Sequence, residues 1–460
     1  MSEERKHIHL IGIGGTGLSA IAKVLLEQGH IVSGSDMHRS PLATSIEKDG
    51  ATVFIGHDAK NINGADLVIM SSAIPASNPE LIAANDSGIP VFKRSSFLKE
   101  WMIEQDCLSV AGTHGKTTTT SMLAWAMTSL GTDPSFIIGS VAKNLGTNAH
   151  AGKGKYFVIE ADEYDRMFHG LHPQVAIVTN MQHDHPDCFP TMEIYREAFV
   201  KYANNIVPGG HLIVCADDQE AAELKESARA DVKTHSYGFD LDADYHITPL
   251  TRTNTFNFVI TVQGEELTTL RLGVSGKHNA LNATAVLAAV HQLGLEVEAA
   301  ASALAVFSGS DRRFDVLGTF NDVTLIDDYA HHPTEIKATL QAARQHFSNA
   351  RIWVVWQPHT YSRTTTLLDD FVVSFSDADA VLVTNVYAAR EKNDEFSGQH
   401  LADQIKHNNV RFTPELNDAI VHLSKNVKPG DVVIVCSAGS AIAINQELSK
   451  KLQSSGTYSL

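Results

Sequence analysis

The sequence has 460 residues, with 36 basic and 53 acidic side chains and a formal net charge of -17. This length predicts two to four domains, and so negative a surface disfavours nucleic acid or an anionic membrane as a partner. The four cysteines, Cys107, Cys188, Cys215 and Cys436, form no C-x-x-C pair, so we expect neither disulfides nor a zinc site. No apolar stretch has the length of a signal-peptide core or of a membrane span, which predicts a cytoplasmic protein without membrane insertion.

Short apolar runs alternate with helical patterns along almost the whole chain, which is typical of α/β domains with parallel sheets. In residues 1–106, a strand at 7–11 precedes a helix with Leu18, Ile21 and Leu25 on one face. Further strands begin near 31 and at 67. We expect this segment to form one small domain.

A second α/β segment, residues 107–308, begins with an apolar strand at 108–110 and continues with strands at 156–159, 176–179 and 212–215. Between 244 and 274 the apolar residues alternate on either side of a Gly264-Glu265 turn, which predicts an antiparallel hairpin. The alternating residues are Phe256, Phe258, Ile260 and Val262 before the turn, and Leu270, Leu272 and Val274 after it.

A third α/β segment, residues 309–460, has predicted strands at 324–326, 352–355, 380–383 and 432–435. Pro333 opens a helix that carries Ile336, Leu340 and Ala343 on one face. The polar residues 451–460 are expected to be loosely structured.

The segment Gly112-Thr113-His114-Gly115-Lys116-Thr117 joins an apolar strand to a helix. Glycines let backbone amides converge on phosphate oxygens, the helix N-terminus adds partial positive charge, and a lysine neutralises the β- and γ-phosphates. The sequence therefore predicts an ATP site with Thr117 as a ligand of Mg²⁺. The general motif has a glycine where Val110 stands.

A second glycine motif, Gly12-Ile13-Gly14-Gly15-Thr16-Gly17, also lies between a strand and a helix, and Asp36 follows nineteen residues after Gly17. This pattern is typical of dinucleotide sites, although close packing of a strand on a helix selects the same glycines. The motif favours a ligand with a diphosphate and leaves the identity of that ligand open.

Acidic side chains follow a predicted strand at Glu160-Ala161-Asp162-Glu163, and His183-Asp184-His185 follows the neighbouring one. Active-site groups of open α/β sheets lie at such strand ends. Carboxylates that repel one another there are stabilised by a divalent cation, so we expect Mg²⁺ near the phosphates.

Two adjacent arginines, Arg312 and Arg313, precede the third segment, and either one is a candidate for stabilising the charge of a γ-phosphate. Asn279 and Asn282 open a helix, where their amides act either as caps or as contacts to a base. From the residues alone, caps are the favoured interpretation.

Together these motifs resemble the Mur ligases, the ATP-dependent amide-forming enzymes of peptidoglycan synthesis. The matching motifs occur in the same order from Gly12 to about Gly439. Within the family, the sequence is most similar to the members that add L-alanine to UDP-N-acetylmuramate. Its elements are GIGGTG at 12–17, GTHGKTTT at 112–119, EADE at 160–163, TN…DH at 179–185, GKHNALNA at 276–283, RRF at 312–314, DDYAHHPTEI at 327–336 and QPH at 357–359.

The resemblance implies three domains. These are an N-terminal Rossmann-like domain for the UDP-sugar at 1–106, a central P-loop ATPase-like domain with a parallel sheet and an antiparallel hairpin region at 107–308, and a C-terminal Rossmann-like domain at 309–460. It further implies ligation of L-alanine to the lactyl carboxylate of UDP-N-acetylmuramate through an acyl phosphate, with ATP and Mg²⁺, by a monomer or homodimer.

The same resemblance assigns site residues. For ATP they are Gly112, Thr113, His114, Gly115, Lys116, Thr117, Thr118, Asn279, Asn282, Arg313 and Asp328. For the UDP-sugar they are Gly12, Gly14, Gly15, Thr16, Gly17, Asp36, Ser71 and Ser72. For the amino acid they are Tyr329, His331 and Arg363. Metal ligands are Thr117, Glu160 and His185, and the catalytic set is Lys116, Glu160, His185 and Arg313.

Three segments depart from the alanine-adding members. Tyr164 stands where many have serine, Thr360 stands where some have arginine, and Ser437-Ala438-Gly439-Ser440 stands where Gly-Ala-Gly-Asp is more usual. Other Mur ligases carry a carbamylated lysine near Phe199 and Val200; its absence there is expected for an alanine-adding member, although Lys201 is adjacent. The first alternative function is ligation of recycled murein tripeptide to UDP-N-acetylmuramate. More distant alternatives are an NAD-dependent dehydrogenase, which leaves the ATP loop unexplained, and a non-catalytic nucleotide sensor, which Lys116, Glu160 and His185 disfavour.

Overall fold

The computed structural model describes residues 5–250, 257–389, 391–392 and 397–455. These residues form three sheets, and the chain divides into two compact units. The first unit is Met1–His183 with Pro190–Ser308, and the second is Asp184–Phe189 with Gly309–Leu460. The predicted fold class is confirmed. Along the chain, a Rossmann-like sheet is followed by a central mixed sheet and then by a second Rossmann-like sheet. Among the described residues, no helix has the length and apolar character needed to cross a bilayer.

The first sheet is fully parallel and has the strand order β3-β2-β1-β4-β5. Its strands are β1 (His7–Ile11), β2 (Ile31–Asp36), β3 (Thr52–Ile55), β4 (Leu67–Met70) and β5 (Val91–Lys93). Its helices are α1 (Thr16–Glu27), α2 (Pro41–Lys48), α3 (Pro79–Asp86) and α4 (Arg94–Trp101). The strand order reverses beside β1, and ligands of open α/β sheets bind at the carboxyl ends of strands at such a reversal.

The central sheet has ten strands in the order β15-β14-β13-β12-β11-β10-β6-β9-β7-β8. They are β6 (Asp106–Ala111), β7 (Ser135–Ala142), β8 (Thr147–His150), β9 (Tyr156–Glu160), β10 (Val175–Val178), β11 (His211–Cys215), β12 (Lys233–Gly238), β13 (Tyr245–Pro249), β14 (Asn257–Val262) and β15 (Glu265–Arg271). Helices α5 (Lys116–Ser129), α6 (Met192–Ala203), α7 (Gln219–Glu223), α8 (Lys277–Gln292) and α9 (Val297–Ala305) belong to the same part of the chain.

The predicted hairpin is present, because β14 pairs with β15 in antiparallel register across the Gly264 turn. Phe256 of that prediction lies outside the described residues. Strands β7, β8 and β12 had no counterpart in the sequence analysis. Polar residues such as Thr147, Asn148 and His150 interrupt these segments, so the apolar pattern that marks a strand is weak there.

The third sheet has the order β16-β17-β21-β18-β19-β20, and only β16 among these strands is antiparallel to its neighbour. Its strands are β16 (Asp315–Phe320), β17 (Val323–Asp328), β18 (Ile352–Trp356), β19 (Ala380–Val383), β20 (Val410–Phe412) and β21 (Val432–Cys436). Its helices are α10 (Pro333–His346), α11 (Tyr361–Thr366), α12 (Leu368–Phe371), α13 (Gly398–Gln404), α14 (Leu416–Asn426) and α15 (Ile442–Ser455).

Helix α10 begins at Pro333 as predicted, and its apolar face, Ile336, Leu340 and Ala343, is fully buried. The expectation that residues 451–460 are loose is wrong for 451–455, which continue helix α15. The buried Leu448 and Leu452 anchor this helix on the third sheet, so packing outweighs the polar composition of its end.

Two histidines lie side by side on adjacent strands of the central sheet. Nδ1 of His211 on β11 is 3.1 Å from Nε2 of His235 on β12, and the two rings are stacked. Burial, and then the neighbouring His211, lower the pKa of His235 to about 4. Burial also lowers the pKa of His211, so the folded protein favours neutral rings at both positions.

Acid should therefore destabilise the first unit through this pair. An unfolded histidine has a pKa of about 6.5. Between that pH and the lower pKa of His235 in the folded protein, the unfolded chain binds more protons than the folded one. The free energy of unfolding therefore falls as the pH decreases through this range. We expect the urea midpoint to fall between about pH 6.5 and pH 4 in the wild type, and to fall less in His235→Gln. The partly exposed His246→Gln on β13 is the matched control, and an equal decline in all three proteins would contradict the prediction.

Candidate active site

The predicted ATP loop lies between β6 and α5, whose first residue is Lys116. Gly112 and Gly115 have φ angles of 132° and 80°, which residues with a Cβ rarely adopt. A Cβ at position 112 would also overlap the Thr179 hydroxyl. Val110, where the general motif has a glycine, is a fully buried residue inside β6. The loop therefore starts after the strand and does not need a glycine at that position.

Residues that follow β10 hold this loop by hydrogen bonds. The Thr179 hydroxyl donates to the His114 carbonyl oxygen at 2.6 Å, and the His114 amide donates to Oδ1 of Asn180 at 2.9 Å. The Thr113 hydroxyl donates to the Gln182 carbonyl oxygen at 2.8 Å. Because β6 and β10 are parallel neighbours, both strand ends emerge at one edge of the sheet, and the second fixes the conformation of the loop after the first.

Lys116 is held by the acidic turn after β9. Its Nζ lies 3.0 Å from Oε1 and 2.9 Å from Oε2 of Glu163, and it also donates to the Gly112 carbonyl oxygen at 2.6 Å. Burial alone would lower the pKa of Lys116, but the carboxylates of Glu163, Glu160 and Asp162 together outweigh burial and raise it. The lysine is therefore a charged group, aimed at the loop by a carboxylate that is 1% exposed.

Two of the three predicted metal ligands lie together. The Thr117 hydroxyl donates to Oε1 of Glu160 at 3.1 Å, and Oε2 of Glu160 accepts from the Gly139 amide at 2.8 Å. The third, His185, belongs to the second unit. No group of three or more His, Cys, Asp or Glu side chains suited to a metal occurs within the described ranges. A hydroxyl beside a carboxylate nevertheless matches the oxygen ligands of Mg²⁺, which protein sites often complete with substrate phosphates and water.

The glycine motif at 12–17 forms the connection from β1 to α1, with Thr16 and Gly17 as the first helical residues. Asp36, at the end of β2, accepts a hydrogen bond from the Gly14 amide at 3.0 Å and so fixes the loop itself. Ser71 and Ser72 directly follow β4, and the Cβ of Ser71 lies close to Gly12. The structure thus gathers the predicted UDP-sugar residues at the carboxyl ends of β1, β2 and β4.

The interpretation of Asn279 and Asn282 as helix caps is wrong. Helix α8 has Gly276 at its N-cap and no side-chain cap. Asn279 donates to the Ser275 carbonyl oxygen at 2.7 Å, and Asn282 donates to Oδ1 of Asn279 at 3.3 Å. A Cβ on Gly115 would lie 3.0 Å from Oδ1 of Asn282, so this amide borders the ATP loop.

The contacts of the two adjacent arginines differ. Arg312 donates from Nε to Oδ2 of Asp327 at 3.2 Å and from Nη2 to the Ser437 carbonyl oxygen at 2.6 Å. Its guanidinium lies 4.8 Å from the centre of the Tyr329 ring. Arg313 also lies over Tyr329, at 5.1 Å, and its guanidinium is 3.7 Å from Oε1 of Glu335. Arg312 therefore connects the ends of two strands, whereas Arg313 contacts the first turn of helix α10.

Asp328 uses both carboxylate oxygens within its own unit. Oδ2 accepts from the Phe314 amide at 2.9 Å and from the Thr339 hydroxyl at 3.0 Å, while Oδ1 accepts from the Ala330 amide at 2.8 Å. Burial raises the pKa of this carboxyl group. Asp328 thus connects the segment after Arg313 to helix α10, and its role towards a ribose stays a prediction.

Around Arg363, the second unit gathers groups from distant parts of the sequence. Arg363 donates from Nε to Oδ1 of Asp184 at 2.7 Å, and its other nitrogens lie 3.1 Å from Nδ1 of His359 and 3.5 Å from Nδ1 of His185. Burial alone would raise the pKa of Asp184, but His185 and then Arg363 outweigh it and hold that pKa well below its ordinary value.

Tyr329 and His331 complete this cluster. Their rings pack edge to face with centroids 5.3 Å apart, and the His331 ring meets the His359 ring at 5.8 Å. Burial, opposed by Glu335, lowers the pKa of His331 to about 3, so this ring is neutral at pH 7. The neutral His331 ring therefore adds no charge beside Arg363.

Four residues of these sites were not assigned in advance: Glu163, Asp184, Thr179 and His359. Each stands within a segment that the sequence analysis quoted, so the segment was identified but the function of the individual side chain was not. Their distances to Lys116, Arg363 and the ATP loop supply the missing information.

Comparison with known proteins gives matches over almost the whole chain. Residues 7–105 match the Mur ligase family, catalytic domain; residues 110–290 match the Mur ligase middle domain; and residues 312–439 match the Mur ligase, glutamate ligase domain. The UDP-N-acetylmuramate–L-alanine ligase of Desulforamulus reducens is 42% identical, with 97% of this chain and 98% of that protein covered.

Two solved structures are similar over their full length. The UDP-N-acetylmuramate-alanine ligase of Thermotoga maritima has a TM-score of 0.83 and 29% identity, with 98% of this chain and 100% of that chain covered. A murein peptide ligase of Psychrobacter arcticus has a TM-score of 0.75 and 27% identity, with 97% and 99% covered.

The contacts of Arg312 with Asp327 and Ser437 predict a role in stability. Arg312→Ala leaves Asp327 buried without its cation, although burial has already raised the pKa of that carboxyl group to about 6. We expect the free energy of unfolding of the second unit to fall by about 1–3 kcal/mol. Arg411→Ala removes an exposed arginine of β20 in the same unit and should change it by less than about 0.5 kcal/mol. Denaturant unfolding of the two variants measures the difference, and equal losses would contradict the prediction.

Proposed function

The chain belongs to the Mur ligase family, and we propose on that basis that it joins L-alanine to the lactyl carboxylate of UDP-N-acetylmuramate, converting ATP to ADP and phosphate. Relatives that carry out this reaction by name match nearly the full length of the chain. The observation that carries the proposal is the ATP loop, in which Lys116 is fixed by Glu163 at the end of the neighbouring strand. Hydride transfer by a dehydrogenase does not require a lysine fixed in this way at a phosphate-binding loop.

The chemistry begins with a carboxylate that does not react with an amine at neutral pH. The lactyl carboxylate attacks the γ-phosphorus of ATP, the bond from that phosphorus to the bridging oxygen breaks, and ADP leaves. The amine of alanine then attacks the acyl carbon, phosphate leaves with the bonding electron pair, and the nitrogen loses a proton. The product is an amide. In the first step a carboxylate anion approaches the negatively charged triphosphate, and in the second the amine lone pair approaches an acyl phosphate that is also negatively charged.

Positive charge near the γ-phosphate is therefore the main requirement. We assign Lys116 to the β- and γ-phosphates and Arg313 to the γ-phosphate. Thr117 and Glu160, with His185, would hold Mg²⁺, which supplies further positive charge at the phosphate oxygens. Glu163 orients Lys116, and Asp184 orients Arg363, which we assign to the carboxylate of the amino acid.

The remaining assignments follow the same order along the chain. We propose that domain 1–106 binds the UDP-sugar through the glycine motif, that domain 107–308 binds ATP, and that domain 309–460 provides Arg313, Asp328 and the amino-acid site. Asn279 and Asn282 are assigned to the adenine side from the family resemblance, and Asn282 borders the ATP loop.

Ligation of recycled murein tripeptide is less well supported than ligation of alanine. The alanine ligase of Thermotoga maritima is more similar to this fold than the murein peptide ligase is. Tyr164, where many alanine-adding members have serine, lies in the 3₁₀ helix Tyr164–Gly170 after the acidic turn, and its amide donates to Asp162.

The proposed acceptor is tested by ADP release. With ATP, Mg²⁺ and UDP-N-acetylmuramate present, we expect one ADP per product with L-alanine and much slower release with glycine, L-serine or the murein tripeptide. Faster turnover with the tripeptide would overturn the choice of acceptor. Lack of ADP release with any acceptor, alongside NADH binding detected by fluorescence, would overturn the ligase function.

The role of Arg313 is tested by Arg313→Ala and Arg313→Lys. By comparison with arginines that stabilise phosphoryl transfer, the alanine variant should lose on the order of 10³-fold or more in kcat. Lysine keeps the charge without the planar guanidinium, so its loss should be smaller. Near-normal turnover of Arg313→Ala would show that another group neutralises the γ-phosphate.

A further inference from the structure

Arg94 links the glycine motif to the acidic turn of the central sheet. It is the first residue of helix α4, directly after β5. Its guanidinium packs so closely on Gly17 that a Cβ at that position would overlap it. Its Nη2 donates to Oδ2 of Asp162 at 2.7 Å. All three residues belong to the first unit.

The glycine motif contains no cationic side chain of its own. The residues assigned to the UDP-sugar are glycines, hydroxyl side chains and one carboxylate, Asp36, which already accepts from the Gly14 amide. The N-cap of α1 is Gly15, without a side-chain cap, so its first amides supply only partial positive charge. A diphosphate carries at least two negative charges, and a guanidinium pairs with phosphate oxygens through two parallel hydrogen bonds.

The present partner of Arg94 is replaceable. The side chains of Arg94 and Asp162 are 25% and 36% exposed, and ion pairs this open to water contribute little stability. Asp162 keeps another structural contact without Arg94, because its Oδ1 accepts from the Tyr164 amide at 3.0 Å. A phosphate at the glycine motif would therefore compete for the guanidinium at small cost to the fold.

We propose that Arg94 binds the diphosphate of UDP-N-acetylmuramate and that Asp162 competes with this substrate for the same guanidinium. The proposal rests on the function argued above, which places the UDP-sugar at the glycine motif. It makes Arg94 a substrate-binding residue and makes Asp162 a residue that weakens sugar-nucleotide binding. Since Asp162 is one residue from Glu163, the partner of Lys116, binding of the sugar nucleotide changes the charge beside the ATP loop.

Calorimetric titration of the full chain with UDP-N-acetylmuramate tests both parts. Arg94→Ala should weaken binding by about 10- to 100-fold, the loss expected for hydrogen bonds to a charged group. Arg94→Lys should fall between this variant and the wild type. Lys99→Ala removes the same charge from an exposed position on the same helix and should bind like the wild type.

Asp162→Asn gives an effect of the opposite sign. The amide oxygen can still accept from the Tyr164 amide, but the charge that holds Arg94 is gone, so binding should tighten about two- to fivefold. In the double variant with Arg94→Ala this gain should disappear, because the competition requires the guanidinium. A loss of fold would not produce tighter binding, so this variant separates the proposal from a structural role.

The proposal is overturned if Arg94→Ala binds UDP-N-acetylmuramate with a dissociation constant within twofold of the wild-type value. It is also overturned if Asp162→Asn still tightens binding in a protein that lacks Arg94. Steady-state kinetics provide a second reading, since the loss in Arg94→Ala should fall mainly on KM for UDP-N-acetylmuramate. If the wild type neither binds this compound nor releases ADP with it, the proposed function fails. If the wild type binds it and Arg94→Ala binds equally, only this inference fails.

Discussion

The hydrogen bonds between the ATP loop and the end of β10 are the constraint on which the rest of the site depends. Gly112 and Gly115 adopt conformations that an isolated chain populates only part of the time, and Thr179 and Asn180 fix them by bonding both sides of His114. The ordering of the loop is therefore completed when the protein folds, and binding of phosphate does not have to supply it. Lys116 and Thr117 follow in the first turn of α5, so their positions are set by the same bonds.

Cations at the proposed sites are matched to carboxylates in a regular way. Lys116 is paired with Glu163, Arg94 with Asp162 and Arg363 with Asp184, and in each pair the acid comes from a different segment of the chain. The burial of these pairs differs, however. The side chains of Arg363 and Asp184 are 4% and 5% exposed, so that pair is a fixed part of the structure, whereas the open Arg94 pair is exchangeable. In a chain with net charge -17, each of these proposed anion sites thus contains a cation whose position is set by a carboxylate.

The sequence predicts the long apolar strands inside each sheet. Strands such as β6, β10 and β21 are continuous buried runs, whereas β7, β8 and β12 contain glycine or polar residues and were missed. The edge strands β3, β5, β16 and β20 were missed as well, because they are short or mostly exposed. Motif residues within one loop were also predictable, because their spacing carries the chemistry. Pairs such as Asp184 with Arg363, 179 residues apart, were not, since spacing contains no information about contacts between distant segments.

Backbone strain falls on the same segments as the charges. His185, Arg312 and Thr360 have φ angles of 54°, 60° and 64°, a left-handed region that is unfavourable for residues with a Cβ. Each is held there by bonds that its segment makes: the His185 amide donates to Asp184, the Arg312 side chain bonds Asp327, and the Thr360 amide donates to the Tyr387 carbonyl oxygen. Such conformations persist only where surrounding contacts determine them. Nothing in the structure explains why threonine stands at position 360 in place of arginine, and the strain there falls on a β-branched residue, for which a positive φ is especially unfavourable.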